Sequence, residues 1–336
     1  MVSRWARVVN PLLTVSNLTV RLPGPNEPVT IVDRVSYTVL PRRVFGIAGE
    51  SGSGKTMSVL ALVGLAPADA VISGTATYAD NDLLHLPEGR LRDIRGREVA
   101  VIFQDPMTSL HPMMTIERQL TEHVRHHLKL SHRDARDRAI ELLEQVRIPD
   151  PKSALHAYPH QFSGGMRQRI AIAIALMCQP RLLIADEPTT ALDVTVQAGL
   201  LRLLERLRER FDLSVILISH DLGVMSAIAD DLTIFYAGRI VESGPTSEVL
   251  RRPRHPYTAA LIASLPHPEA VDGERLVSIV GSSPSPLRRP SGCAFHPRCK
   301  YVEATCSVEV PNLISLGDQQ RHMLACPVDP LFANRA

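Results

Sequence analysis

No run of about 18 consecutive uncharged apolar residues occurs in this 336-residue chain, so none of its segments is expected to cross a membrane. Neither charge predominates. Lys and Arg number 37 against 35 Asp and Glu, a formal net charge of +2, and no global basic field argues for a nucleic-acid partner. Residues 1–20 lack the small-residue cleavage pattern of a secretory signal, and Asn10, Pro11, Ser16 and Asn17 interrupt their mild apolarity, which places the chain in the cytosol. Internal repeats and low-complexity tracts are missing. Cysteine is scarce and unevenly spread: Cys178 stands alone, whereas Cys293, Cys299, Cys306 and Cys326 crowd the C-terminal part. In a cytosolic chain that grouping reads as a metal or cluster site rather than as disulfides. What remains is ordinary. The chain is 45% hydrophobic and 21% charged, enough to bury a normal core, and long enough for two domains.

Residues 12–20 alternate as a strand, and Pro23-Gly24-Pro25-Asn26 reads as a hairpin loop. Val29 to Val39 and Val44 to Ala48 are further strands, the second running into a glycine-rich turn and a helix that begins near Lys55. From about 105 to 180 the period becomes helical; Ala139, Leu142, Leu143 and Val146 share one apolar face. Two short apolar strands follow, Leu182 to Ala185 and Val215 to Ser219, flanking an amphipathic helix from about Val194 to Arg210. Apolar strands alternating with helices predict an α/β fold with a mostly parallel, helix-covered sheet. Composition shifts near Arg251, where proline rises and the four clustered cysteines follow. Residues 1–250 thus read as one domain and 251–336 as an appendage.

Gly49-Glu50-Ser51-Gly52-Ser53-Gly54-Lys55-Thr56 matches G-x-x-x-x-G-K-[ST] in full, between a strand and a helix. Its backbone N–H groups can turn inward as an anion nest at the positive end of the helix dipole. Lys55 would reach the β- and γ-phosphates, and the Thr56 hydroxyl would ligate Mg²⁺. The run Leu182 to Glu187 sends a carboxylate out of the carboxyl end of a buried strand, where parallel sheets bind ligands. Asp186 is placed to hold Mg²⁺ through water, and Glu187 to polarise the attacking water as general base. These elements read as a nucleoside triphosphatase. Ser163-Gly164-Gly165, inside Phe162 to Arg169, opens an apolar helix and makes a second nest over 100 residues away. Both nests can work only if the second serves another nucleotide, which implies a head-to-tail dimer.

Over residues 12–250 this set resembles the ATP-binding subunit of ABC transporters. The resemblance implies an ABC-type P-loop NTPase fold: a RecA-like parallel-sheet core, an antiparallel β subdomain and an α-helical subdomain at about 105–180. ATP and Mg²⁺ are the implied cofactors. By the same resemblance Ser163-Gly164-Gly165 is the signature loop that caps the partner's ATP. Gln104, after Val101-Ile102-Phe103, is the Q-loop glutamine that contacts Mg²⁺ and water. Ala191-Leu192-Asp193 is the D-loop, and His220 the switch histidine at the γ-phosphate. The chain departs from the usual pattern at Phe162 and Met166, which flank the signature, and at Leu22, where an adenine-stacking aromatic is common. Tyr37 reads as core.

Within that family the chain is similar to the peptide and nickel importers. The stretches that carry this are Gly46 to Thr56, Phe162 to Arg169, and His255-Pro256-Tyr257-Thr258-Ala259-Ala260-Leu261, followed by Ser264-Leu265-Pro266. Gly292-Cys293-Ala294-Phe295-His296-Pro297-Arg298-Cys299 is similar to the branch's cysteine motif. The C-x5-C-x6-C-x19-C spacing itself suits tetrahedral zinc or an iron–sulfur cluster, with free thiols a third reading. The resemblance implies a [4Fe–4S] cluster on Cys293, Cys299, Cys306 and Cys326, with Zn²⁺ the alternative. His296 reads as a loop histidine and Cys178 as core. The tail's distance in sequence from the phosphate loop predicts that losing Cys299 leaves ATP affinity unchanged.

The implied function is an ATP-hydrolysing subunit that energises import of di- or oligopeptides from the cytoplasmic face of the membrane. Its implied partners are a second ABC ATPase subunit in a heterodimer, two transmembrane permease subunits and an extracytoplasmic solute-binding protein. Import of nickel or another small solute is the alternative within the family. A soluble ABC ATPase acting on nucleic acid or ribosomes would usually carry a second cassette or long coiled-coil insertions, and neither is present.

Overall fold

The computed structural model describes residues 10–105, 109–190, 192–265, 279–316 and 321–333. Ala191 of the expected D-loop and Pro266 of the importer-like segment lie outside the described residues. The strands are β1 (Leu13–Leu22), β2 (Val29–Val39), β3 (Val44–Ala48), β4 (Val71–Tyr78), β5 (Asn81–Asp82), β6 (Val99–Ile102), β7 (Leu182–Asp186), β8 (Ser214–Ile218), β9 (Asp231–Tyr236), β10 (Arg239–Pro245), β11 (Ile314–Ser315) and β12 (Met323–Leu324). The helices that matter below are α1 (Lys55–Leu60), α2 (Glu88–Ile94), α3 (Ile116–Leu128), α4 (His132–Gln145), α5 (Gly164–Leu176), α6 (Val194–Arg210), α7 (Leu222–Ile228), α8 (Thr246–Arg251) and α9 (Pro256–Ala263). No helix among the described residues is long and apolar enough to cross a membrane.

The described chain forms two compact units. The first comprises residues 10–13, 38–44 and 78–218; the second comprises 14–37, 45–77 and 219–333. In the first unit β6, β7 and β8 run parallel, with Val99 opposite Leu182 and Leu182 opposite Ser214. Every residue of β7 and β8 is buried, as continuous apolar strands covered on both faces require. Leu200, Leu203, Leu204 and Leu207 form the buried stripe of α6. Helices α3, α4 and α5 pack on one another and bury Leu120, Val124, Ala139, Leu143, Ile172 and Leu176. Each large side chain among these gains about 1.5–3 kcal/mol from burial.

Side-chain caps set where these helices begin. Ser131 Oγ accepts from Asp134 N at 3.1 Å, so α4 starts at His132. Ser163 caps α5 in the same way through Met166 N at 3.4 Å, so the apolar helix begins at Gly164, at the Ser-Gly-Gly turn expected to open it. Both first turns are polar, and apolar periodicity does not register them.

In the second unit the strand order is β11-β12-β10-β9-β3, with β3 and β9 parallel and the remaining pairs antiparallel. Strands β2, β1 and β4 lie side by side in a separate sheet. Ala237 (φ 47°) and Gly238 (φ 81°) close the β9–β10 hairpin in the left-handed turn that matches strand twist. A register shift between Ile240 and Glu242 sets the Glu242 side chain, fully buried, within the unit. It accepts from Arg254 N (2.8 Å), His255 N (2.9 Å) and His322 Nε2 (2.8 Å). Residues beyond 251 add to this same sheet: β12 pairs with β10, Glu242 opposite Leu324. The rings of Tyr236, Tyr257 and Phe295 meet with centroids 4.5–5.4 Å apart. An Arg254–Asp329 ion pair ties the last described helix back. Tyr37 is buried and stacks on Phe45 at 5.0 Å, a core residue.

Candidate functional site

The second unit carries the glycine-rich loop. Gly49 stands at φ 147°, and a Cβ there would lie 2.2 Å from Phe235 O, so no other residue fits. Gly54 (φ 98°) N-caps α1, where a Cβ would come 2.9 Å from Ile31 O. Lys55 is buried, and its Nζ donates to Gly49 O (2.8 Å) and Glu50 O (2.9 Å). The ammonium is therefore held across the loop by two carbonyls. The Ser53 hydroxyl is buried with no hydrogen-bond partner among the described residues, a donor left over for a ligand oxygen. Ser51, Gly52 and Thr56 are exposed. His220 is exposed just beyond β8, while Asp221 caps α7 by accepting from Gly223 N at 2.7 Å. Leu22 ends β1, half-buried.

The first unit carries the acidic element. Asp186 ends β7 and is buried. Glu187 follows at φ 46°, a left-handed conformation held by its N–H on Ile218 O at 2.9 Å. Gln104 Nε2 donates to Glu187 Oε2 at 3.0 Å, and Thr190 Oγ1 donates to the same oxygen at 2.9 Å. Two donors on one oxygen fix the carboxylate plane. Asp186 and Gln104 offer hard oxygens of the kind that suit Mg²⁺. Ser163 and Gly164 are exposed at the start of the thirteen-residue α5, whereas Gly165 is closed in, its Cβ position 2.8 Å from Val196 Cγ1. Met166 is half-buried. Asp193 caps α6 through Val196 N at 2.9 Å.

The four tail cysteines belong to the second unit. Cys306 is buried and the other three half-buried. Burial, reinforced by the neighbouring thiols, pushes the Cys293 thiol up to about 11. Burial also raises Cys299 and Cys326, each with other cysteines of the set adding to the rise. No three His, Cys, Asp or Glu side chains among the described residues are drawn together as a ligand set. His296 Nδ1 meets Cys293 O at 3.0 Å, a loop contact. Cys178 is buried, its thiol pushed up to about 11 by burial, and is a core residue.

Sequence reasoning missed Thr190 and the tail residues that reach the loop. Arg298 pairs with both carboxylate oxygens of Glu50 (2.9 and 3.0 Å), and Tyr257 Oη accepts from Glu50 N at 2.9 Å. Tyr257 and Arg298 sit inside motifs quoted for the resemblance, but nothing in the motifs names their target.

Comparison with known proteins fits this geometry. The ABC transporter family model matches residues 32–190, and the model for the oligopeptide/dipeptide transporter C-terminal region matches residues 241–306. The chain is 49% identical over 308 residues to a putative peptide import ATP-binding protein of Brucella abortus, covering 91% of this chain and 92% of that protein. It is 45% identical over 319 residues to the dipeptide transport ATP-binding protein of Escherichia coli, covering 95% and 97%. In fold it is similar to a dimeric ATP-binding cassette solved in a post-hydrolysis state with ADP and phosphate. The TM-score is 0.62 at 24% identity, covering 70% of this chain and 98% of that one.

Proposed function

Because the chain belongs to the ABC transporter family, as an ATP-binding subunit with the oligopeptide/dipeptide C-terminal region, we propose that its ATPase activity energises import of di- or oligopeptides. Its membrane partners are permease subunits, and a solute-binding protein delivers the peptide. The further reading is that its ATPase partner is a second, different subunit and that the pair sits on the cytoplasmic face. The names of the relatives support the peptide reading; import of nickel or another small solute by the same architecture is the alternative.

One observation carries the catalytic part: the Glu187 carboxylate, oriented by Gln104 and Thr190 through one oxygen. A carboxylate so held can accept a proton from water as it attacks the γ-phosphate. The loop 49–54 would cradle the phosphates with its N–H groups, while Lys55 would exchange its two carbonyl partners for phosphate oxygens. Thr56, Asp186 and Gln104 would hold Mg²⁺, which when bound neutralises charge between the β- and γ-phosphates. His220 would contact the γ-phosphate. Ser163, Gly164 and Gly165 would cap the ATP of the partner subunit through the amino end of α5.

Affinity capture of the tagged chain from detergent-solubilised membranes tests the partner part. Two permease polypeptides and a second, non-identical ATPase are expected; recovery of this ATPase alone would contradict the heterodimer.

For the tail, Cys293, Cys299, Cys306 and Cys326 would hold a [4Fe–4S] cluster, with zinc the alternative. The donor chemistry fits in kind, since soft thiols are the ligands that either group takes. When bound, the group cross-links four points of the tail. Anaerobically purified protein is expected to absorb broadly near ~400 nm and to carry about four iron and four sulfide per chain. Stoichiometric zinc without acid-labile sulfide would replace the cluster by the alternative.

A further inference from the structure

Glu50 is the first variable position of the phosphate loop, and each of its polar groups is occupied. Its carbonyl receives the Lys55 ammonium (2.9 Å). Its N–H goes to Tyr257 Oη (2.9 Å), and its carboxylate to both terminal nitrogens of Arg298. Two of these three partners lie more than 200 residues downstream, in two separate motifs of the C-terminal segment. A loop that needed only to turn and present N–H groups would have no use for either.

Both partners are themselves fixed. Tyr257 is fully buried, its ring against Tyr236 and Phe295. Its N–H donates to His255 Nδ1 at 3.1 Å; burial pushes the His255 ring down to about 4, which keeps that nitrogen an acceptor at neutral pH. The Arg298 side chain is only 8% exposed and makes five contacts, one for each N–H. These are Val280 O (2.9 Å), Tyr236 Oη (3.2 Å), Gly281 O (3.4 Å) and the two Glu50 oxygens. Its guanidinium also lies 5.9 Å from the ring centroids of both Tyr236 and Phe295.

Two consequences follow for an anion site. An uncompensated Glu50 carboxylate beside the nest would repel phosphate, and Arg298 cancels it. Pinning Glu50 also fixes the carbonyl on which Lys55 rests, so the loop is organised before the ligand arrives.

We propose that Arg298 is a positioning residue for the phosphate loop: its fork on Glu50, with Tyr257 on the Glu50 N–H, makes the cysteine-bearing tail a structural part of the ATP site. The proposal rests on reading residues 49–56 as that site. It runs against the expectation, drawn from distance in sequence, that losing Cys299 leaves ATP affinity unchanged; Arg298 is the neighbour of Cys299.

The test is the equilibrium affinity of the full chain for a fluorescent ATP analogue with Mg²⁺, beside the KM and kcat of the assembled transporter. Arg298→Met is expected to weaken binding about 10-fold and to raise KM with kcat within about twofold, because it disturbs loop organisation and not Glu187. Arg298→Lys, which keeps the charge and loses the fork, should fall between Met and the parent. In a Glu50→Gln background Arg298→Met should add little further loss, since the pair acts as a unit. Tyr257→Phe keeps the ring and removes only the acceptor, and it carries the test if Arg298→Met does not fold; a loss of several-fold is expected. Affinity within twofold of the parent in these variants, or full additivity with Glu50→Gln, would overturn the proposal. Parental affinity in Lys55→Ala would instead defeat the ATP-loop reading on which it rests.

Discussion

Glu187→Gln is expected to lower the ATP turnover of the assembled transporter by about 10²–10⁴-fold while leaving ATP affinity within a few-fold of the parent. The substitution keeps the shape and removes the charge and basicity. Gln104 and Thr190 both donate to Glu187 Oε2, and an amide oxygen can still accept from them, so the local geometry survives. The phosphate loop and Lys55 are untouched, so binding persists. Turnover above about a tenth of the parent would remove Glu187 from the role of base. A parallel loss of affinity would mean that the carboxylate matters for binding and not for proton transfer.

Glu242→Leu is expected to cost about 3–6 kcal/mol, the largest stability effect of any single change considered. The buried carboxylate accepts from two main-chain N–H groups, of Arg254 and His255, and from His322. Leucine removes the acceptor of all three donors, of which the His255 N–H is buried and the other two part-buried, at about 1–3 kcal/mol each. Relief of the desolvated carboxylate offsets part of that, which keeps the net near the lower half of the sum. These donors lie where α8 hands over to α9 and where β12 joins β10, so the tail should loosen first. Thermal unfolding followed by circular dichroism, with limited proteolysis of residues 255–333, measures it; a fall of roughly 10 °C is expected. Glu242→Gln, which retains one acceptor, should lose about half as much. A melting temperature within a degree of the parent for Glu242→Leu would show that water satisfies these donors.

The phosphate loop was legible because its chemistry is local: eight consecutive residues between a strand and a helix specify it. Asp186 and Glu187 were legible because a buried apolar strand announces the carboxylate at its end. Gln104 lies 83 residues from Glu187 and was reached only through family resemblance. Thr190 was missed because a threonine three residues past an acidic pair has no distinguishing pattern. Arg298 and Glu50, 248 residues apart, are common surface residue types, and no periodicity records a pairing across the chain. Glu242 sits in a strand that would read as alternating, and the register shift beside Ile240 carries it inside.

The measurement that bears most directly on the central claim is ATP-dependent uptake of a labelled dipeptide into proteoliposomes. These would hold the captured complex and its solute-binding protein, with the parent chain and with Glu187→Gln run side by side. Uptake that requires ATP, accompanies hydrolysis and disappears with Glu187→Gln is the predicted result. Hydrolysis without peptide uptake, or uptake that continues at the parental rate in Glu187→Gln, would contradict the account.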